Sequence, residues 1–204
     1  MVENRIAELA VRTGNQPRLY RGCEFLLSFE NFERMMDQPS LYTINGTQYL
    51  LVEWPSIYTS SVVDTALRRL MGAGITPVIA HPERNPMLRD KFGQIESWVE
   101  SGCLMQLTAL SITGGFGAAA KTTCFRLLDQ GLAHVVASDT HDPVRRHPRM
   151  DEALKVIQAR YGKHAAEILF DQNPRNVLEG TPMGGKQDVG RPSMRRFWFW
   201  KARE

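Results

Sequence analysis

The feature that most constrains this chain is an alternation. Short apolar, β-branched runs recur along it, and a helical stretch with an apolar stripe follows almost every one. Residues 49–53 are nearly all apolar, which reads as a strand buried on both faces. Residues 60–73 follow, with Val63, Leu67, Leu70 and Met71 on one helical stripe and Arg68 and Arg69 off it. A second apolar run, residues 76–80, comes next. Strand, helix and strand in that order favour parallel pairing through a right-handed crossover. The pattern continues as helix 87–100, strand 103–108, helix 118–130 and strand 133–138. The expectation is an α/β fold with a mainly parallel sheet or barrel.

The flanks are less regular. Residues 2–13 carry helical spacing that Gly14 stops, 17–24 read as a strand closed by Glu24, and 28–37 read as a helix starting near Ser28 or Glu30. Asn45-Gly46 between two β-rich runs signals a hairpin. Helices are expected over 150–160 and 164–170, and a last one is opened by Asn173 as N-cap with Pro174 in its first turn. From Gly180 onward Gly, Pro and polar residues dominate. The domain is therefore expected over 1–180, with a disordered tail over 181–204 that ends basic and aromatic around Arg195, Trp198 and Lys201.

The strand ends carry the chemistry. The run 76–80 stops at His81-Pro82-Glu83-Arg84, and the proline breaks the strand, leaving His81 at its C-terminal mouth. That edge is where α/β folds bind ligands. Glu24 and Glu53 close two other runs, and 133–138 ends in Asp139-Thr140-His141. A carboxylate closing a buried strand costs several kcal/mol unless it is paired or metal-bound, roughly speaking. Glu24, Glu53, His81, Asp139 and His141 together make an oxygen and imidazole donor set without thiolate, suited to manganese, iron(II) or zinc in an open hydrolytic site. Arg84 and the pair Arg145-Arg146 offer guanidinium donors to a phosphate.

Other chemistries are excluded by what is missing. A cysteine phosphatase needs an arginine six residues after its nucleophile, but Cys23, Cys103 and Cys124 are followed there by Phe29, Ala109 and Gln130. No Gly-x-Ser-x-Gly elbow is present, and the glycine segment Thr113 to Gly117 lacks the Gly-Lys-Ser/Thr of a phosphate loop. That segment is expected to shape a loop at the site mouth. Three scattered cysteines fit reduced thiols and a cytoplasmic location. A net charge of +3 gives no case for nucleic acid, and no apolar run reaches membrane-spanning length.

Ala80-His81-Pro82-Glu83-Arg84, the segment Leu104 to Gly117, Ala137-Ser138-Asp139-Thr140-His141 and Asn173-Pro174-Arg175 resemble the PHP (polymerase and histidinol phosphatase) superfamily. Within it they are similar to the bacterial capsule and exopolysaccharide tyrosine phosphatases, and Tyr20 to Glu24 and Leu51 to Pro55 fit the same pattern. The resemblance implies a distorted (β/α)7-type barrel, incomplete here, holding up to three metal ions, usually Mn2+. It implies dephosphorylation of tyrosines on a polysaccharide-export kinase. It assigns Glu24, Glu53, His81, Asp139 and His141 as metal ligands and Arg84, with Arg146, as phosphate-binding residues. The family begins with a strand carrying His-x-His, and no histidine precedes His81 in this chain. An N-terminally truncated site with impaired activity is therefore the expectation. A non-catalytic binder of phosphotyrosine tails and a histidinol-type phosphoesterase are the competing ones, and self-association is left open.

Overall fold

Five parallel strands form in a computed structural model that describes residues 2–55 and 60–189. In chain order the elements are α1 (Val2–Arg12), β1 (Glu24–Leu26), α2 (Phe29–Asp37), β2 (Tyr49–Glu53), α3 (Ser60–Gly72), β3 (Thr76–Ala80) and α4 (Pro86–Arg89). There follow α5 (Phe92–Glu100), β4 (Leu104–Thr108), α6 (Ala109–Thr113), α7 (Gly117–Asp129), β5 (Val135–Ala137), α8 (Asp151–Tyr161), α9 (Lys163–Glu167) and α10 (Asn173–Glu179). The strands lie in sequential order, β1-β2-β3-β4-β5, every neighbouring pair parallel. That order is an open segment of a β/α barrel, in which each crossover returns the chain one strand further on.

The register levels the strand ends. Leu26 pairs with Glu53, Val52 with Ile79, Ala80 with Gln106 and Thr108 with Ala137. Alternation then sorts the faces. Leu50, Val52, Ile79, Met105, Leu107 and Val136 point into the main core beneath the helices. Tyr49, Val78, Leu104 and Val135 point the other way and pack with Val177 of α10 in a second, smaller cluster. Glu53 shares the parity of Tyr49, so its carboxylate rises on the second face.

Several expectations are corrected. Glu24 opens β1 instead of closing a strand over 17–24, and residues 17–23 form no strand. Asn45-Gly46 makes no hairpin. The two residues do take positive φ, 53° and 71°, but inside a tight turn at Ile44–Gly46 leading into a strand that pairs parallel. Tertiary partners fix that turn: the Asn45 N–H donates to the Arg21 carbonyl at 2.7 Å and its side chain donates to Leu178 at 3.0 Å. The helix expected over 87–100 is two helices broken at Asp90-Lys91, and the loop after β4 contains the unforeseen α6.

Asn173 is no cap. It lies within a continuous helical run, in which a wide turn over Ile168–Gln172 joins α9 to α10. Pro174 cannot donate to the carbonyl four residues back and its ring would crowd it, and a wide turn removes that conflict. The Asn173 amide instead donates to the His134 carbonyl at 2.9 Å. The body also runs past 180. Gln187 N–H donates to the Gly131 carbonyl at 2.7 Å, and Val189 is buried in the main core. Residues 181–189 are thus a strap on the domain, while the aromatic end of the tail lies outside the described residues.

Candidate metal and phosphate site

The predicted side chains gather toward the C-terminal rim of the sheet, Glu24 reaching it from the first residue of β1, except Arg145, which stays exposed in its loop. His81 Nε2 stands 3.1 Å from Glu24 Oε1 and 3.4 Å from Glu53 Oε2. Glu24, Glu53 and His81 can place one donor atom each within 4.8 Å of one another, and so can Glu24, Asp139 and His141. Glu24 belongs to both sets. His141 Nδ1 lies 3.0 Å from the Asp139 carbonyl. A carbonyl only accepts, so Nδ1 carries the proton and the Nε2 lone pair is left for a ligand.

Asp139 ties this donor set to the arginines. Its Oδ2 accepts from Arg84 Nη1 at 2.6 Å and from Arg146 Nη2, and its side chain is only 8% exposed. The Phe116 ring lies beneath both guanidiniums, 4.3 Å from Arg84 and 5.9 Å from Arg146. Asp142 sets the Arg146 loop by accepting the N–H groups of Val144, Arg145 and Arg146. Those bonds, first from Arg145 and then from Val144, hold its carboxyl below the usual range.

Glu83 anchors the turn between His81 and Arg84. It is fully buried and accepts the Thr108 N–H at 3.1 Å, which fastens the turn to the end of β4. Burial pushes its carboxyl above the usual carboxylate range. The roles of Phe116, Asp142 and Glu83 were not foreseen. Asp142 alone left a local signal, an Asp followed by a Pro-containing turn. A cavity of about 250 Å³ opens beside His81 and Arg84, walled by Trp54, Pro82, Pro86 and Leu88. The set suits a hard divalent cation by donor type. Gln106 Nε2 and Thr108 Oγ1, buried without protein partners just below the rim, mark a polar floor rather than a sealed apolar core.

The chain has clear similarity to known proteins. The family model for capsular polysaccharide synthesis proteins CpsB/CapC matches residues 2–179. Tyrosine-protein phosphatase CpsB of Streptococcus pneumoniae is 31% identical over 180 residues, 85% of this chain and 73% of that protein. Tyrosine-protein phosphatase YwqE of Bacillus subtilis is 34% identical over 139 residues, 68% of this chain and 55% of that protein. The chain thus spans little more than half of the Bacillus relative. A crystal structure from work on YwqE and CpsB, described as unique metal-dependent tyrosine phosphatases, superposes with a TM-score of 0.81 at 28% identity, covering 94% of this chain and 76% of that one. The family model, the sequence relatives and the fold agree: this chain is a member of the CpsB/CapC family of capsular polysaccharide synthesis proteins.

Proposed function

We propose that the chain is a metal-dependent protein-tyrosine phosphatase acting in capsule or exopolysaccharide synthesis. The observation that carries the reading is the double engagement of Asp139, which holds Arg84 and Arg146 while belonging to a candidate ligand set with Glu24 and His141. Phosphate-binding donors are thereby fixed against the metal donors, as phosphomonoester hydrolysis requires.

Glu24, Glu53 and His81 would hold one cation, and Glu24, Asp139 and His141 a second. Mn2+ fits this oxygen-rich set with imidazole. A bound cation supplies hydroxide at neutral pH and polarises a phosphoryl oxygen. Arg84 and Arg146 would grip the remaining phosphoryl oxygens, with the Phe116 ring beneath both guanidiniums. The cavity walled by Trp54, Pro82, Pro86 and Leu88 takes the tyrosine ring. The substrate is a phosphotyrosine protein, a polysaccharide-export kinase being the partner its family suggests, and the setting is cytoplasmic. No helix among the described residues is long and apolar enough to cross a membrane.

Manganese titration by calorimetry, beside a His81→Ala variant, tests the site. The variant should lose at least about tenfold in affinity, since even outer-sphere changes cost that much. Hydrolysis of an aryl phosphate should require the metal and stop with EDTA. Equal manganese affinity in the two proteins would reduce His81 to an ordinary strand-end histidine and remove the proposal.

A further inference from the structure

A second concavity, about 490 Å³, lies beside the site and shares Pro86 with its cavity. One wall is α4 and the start of α5, with Arg89 and Phe92; the other is the α7 face of Ala119, Thr122 and Arg126. Arg126 stacks on the Phe92 ring at 3.7 Å, so its guanidinium is held in place. Neither Arg89 nor Arg126 has an ion-pair partner among the described residues, and Asp90, also at the groove, pairs with neither. Arg21, Arg68, Arg69, Arg160 and Arg175 each meet a carboxylate, and of the described arginines that meet none, Arg89 and Arg126 are the two that share a groove. Two guanidiniums without a carboxylate partner, set with Asp90 in one groove that opens from the site mouth, leave a net positive surface that suits an anionic group supplied by the substrate itself.

We propose that this groove receives acidic side chains of the protein substrate that flank its phosphotyrosine. The proposal rests on the phosphatase reading and adds to it a sequence preference. Phe116, which backs the two phosphate-binding arginines, directly precedes α7, so the groove wall starts at the site. From Phe116 to Arg126 the helix advances about 15 Å, a distance an extended peptide covers in about four to five residues. Asp or Glu about four to five residues from the phosphotyrosine is therefore the preferred pattern. The α7 wall lies along one side only, so one flank of the phosphotyrosine should carry the preference.

The test uses the manganese-loaded full chain and four fluorescent peptides read by anisotropy. They carry tyrosine or a non-hydrolysable phosphonate analogue of phosphotyrosine, each with Asp/Glu or with Asn/Gln flanks. The phosphonate effect reads the site and the flank effect reads the groove. Acidic flanks should tighten binding about two- to fivefold per arginine engaged, the size of an exposed ion pair. The preference should fade with added salt. It should vanish in an Arg89→Gln/Arg126→Gln variant, while the neutral-flank phosphonate peptide binds that variant as before. Equal binding of acidic and neutral flanks, or a preference that survives in the double variant, overturns the groove. Equal binding of phosphonate and tyrosine peptides overturns the phosphatase reading instead, and a flank effect that needs the arginines would still stand.

Discussion

His134 should make the fold acid-sensitive, by an amount the structure sets. Its ring is fully buried at the start of β5. Nδ1 accepts the Met105 N–H at 3.1 Å, which leaves Nε2 protonated to donate to the Gly185 carbonyl at 2.9 Å. The neutral ring is thus satisfied at both nitrogens, and a second proton would displace the Met105 bond. Burial lowers its pKa from 6.5 to about 4. Between those values the unfolded chain binds the proton and the folded chain does not. Unfolding is then accompanied by proton uptake, and stability falls as pH falls through the window. For one such group, linkage gives a loss of about 2 kcal/mol between pH 7 and pH 5. Urea denaturation across that range, in EDTA, would measure it against His134→Gln, which keeps an amide donor for Gly185 but cannot titrate. The variant should start less stable at pH 7 and show a flatter pH dependence by about that amount. Parallel slopes for the two proteins would mean His134 is not held neutral, and the assignment of its ring protons would be wrong.

Two further substitutions probe the strap and the rim. Gly131→Ala puts a Cβ 2.5 Å from the Gln187 carbonyl at a φ of 68°, so the strap must move. Left-handed strain and a lost backbone bond together should cost about 2–3 kcal/mol in urea denaturation, with faster proteolysis within 181–189. Asp139→Asn keeps a side chain that tolerates the φ of 52° but removes the charge that pairs Arg84 with Arg146. The metal-free protein should lose about 2 kcal/mol, and an unchanged urea midpoint would show that the pairs are not made.

Most of the fold was legible because it rests on periodicity. The runs at 49–53, 76–80 and 103–108 are mostly apolar, and such strands are covered on both sides in a parallel sheet. The failures have tertiary causes. Asn45-Gly46 carries the dihedral preferences of a hairpin turn, but Arg21 and Leu178, distant in sequence, take its hydrogen bonds. Asn173-Pro174 reads locally as a helix start, yet the Asn amide is bound to His134, and a wide turn absorbs the proline. Residues 181–189 are polar and glycine-rich, so composition marks them as tail, while the Tyr49 and His134 side chains and the Gly131 carbonyl hold their backbone, which the strap's own side-chain pattern does not encode. At the site, charged residues at strand ends announced themselves. Phe116 and Glu83 did not, since one lies in a glycine segment and the other looks like half of a surface ion pair.

The position of His81 shows why strand ends alone could not give the geometry. Side chains alternate along β3, with Ile79 in the main core and Val78 in the second cluster. Continued as a strand, residue 81 would follow Ile79 toward the helices, away from Glu53. The backbone instead turns left-handed there, with φ 34° and ψ 53°. That conformation costs an L-residue about 1–2 kcal/mol. A residue before proline resists a helical conformation as well, so Pro82 adds to the strain. The turn sets the imidazole against Glu24 and Glu53 and aims Arg84 at Asp139. It persists because both ends are pinned, by the paired strand before it and by the buried Glu83 bond to Thr108 after it. Strain over-determined by its surroundings, at the residue that completes a candidate ligand set, is what a site selected for chemistry over stability would show.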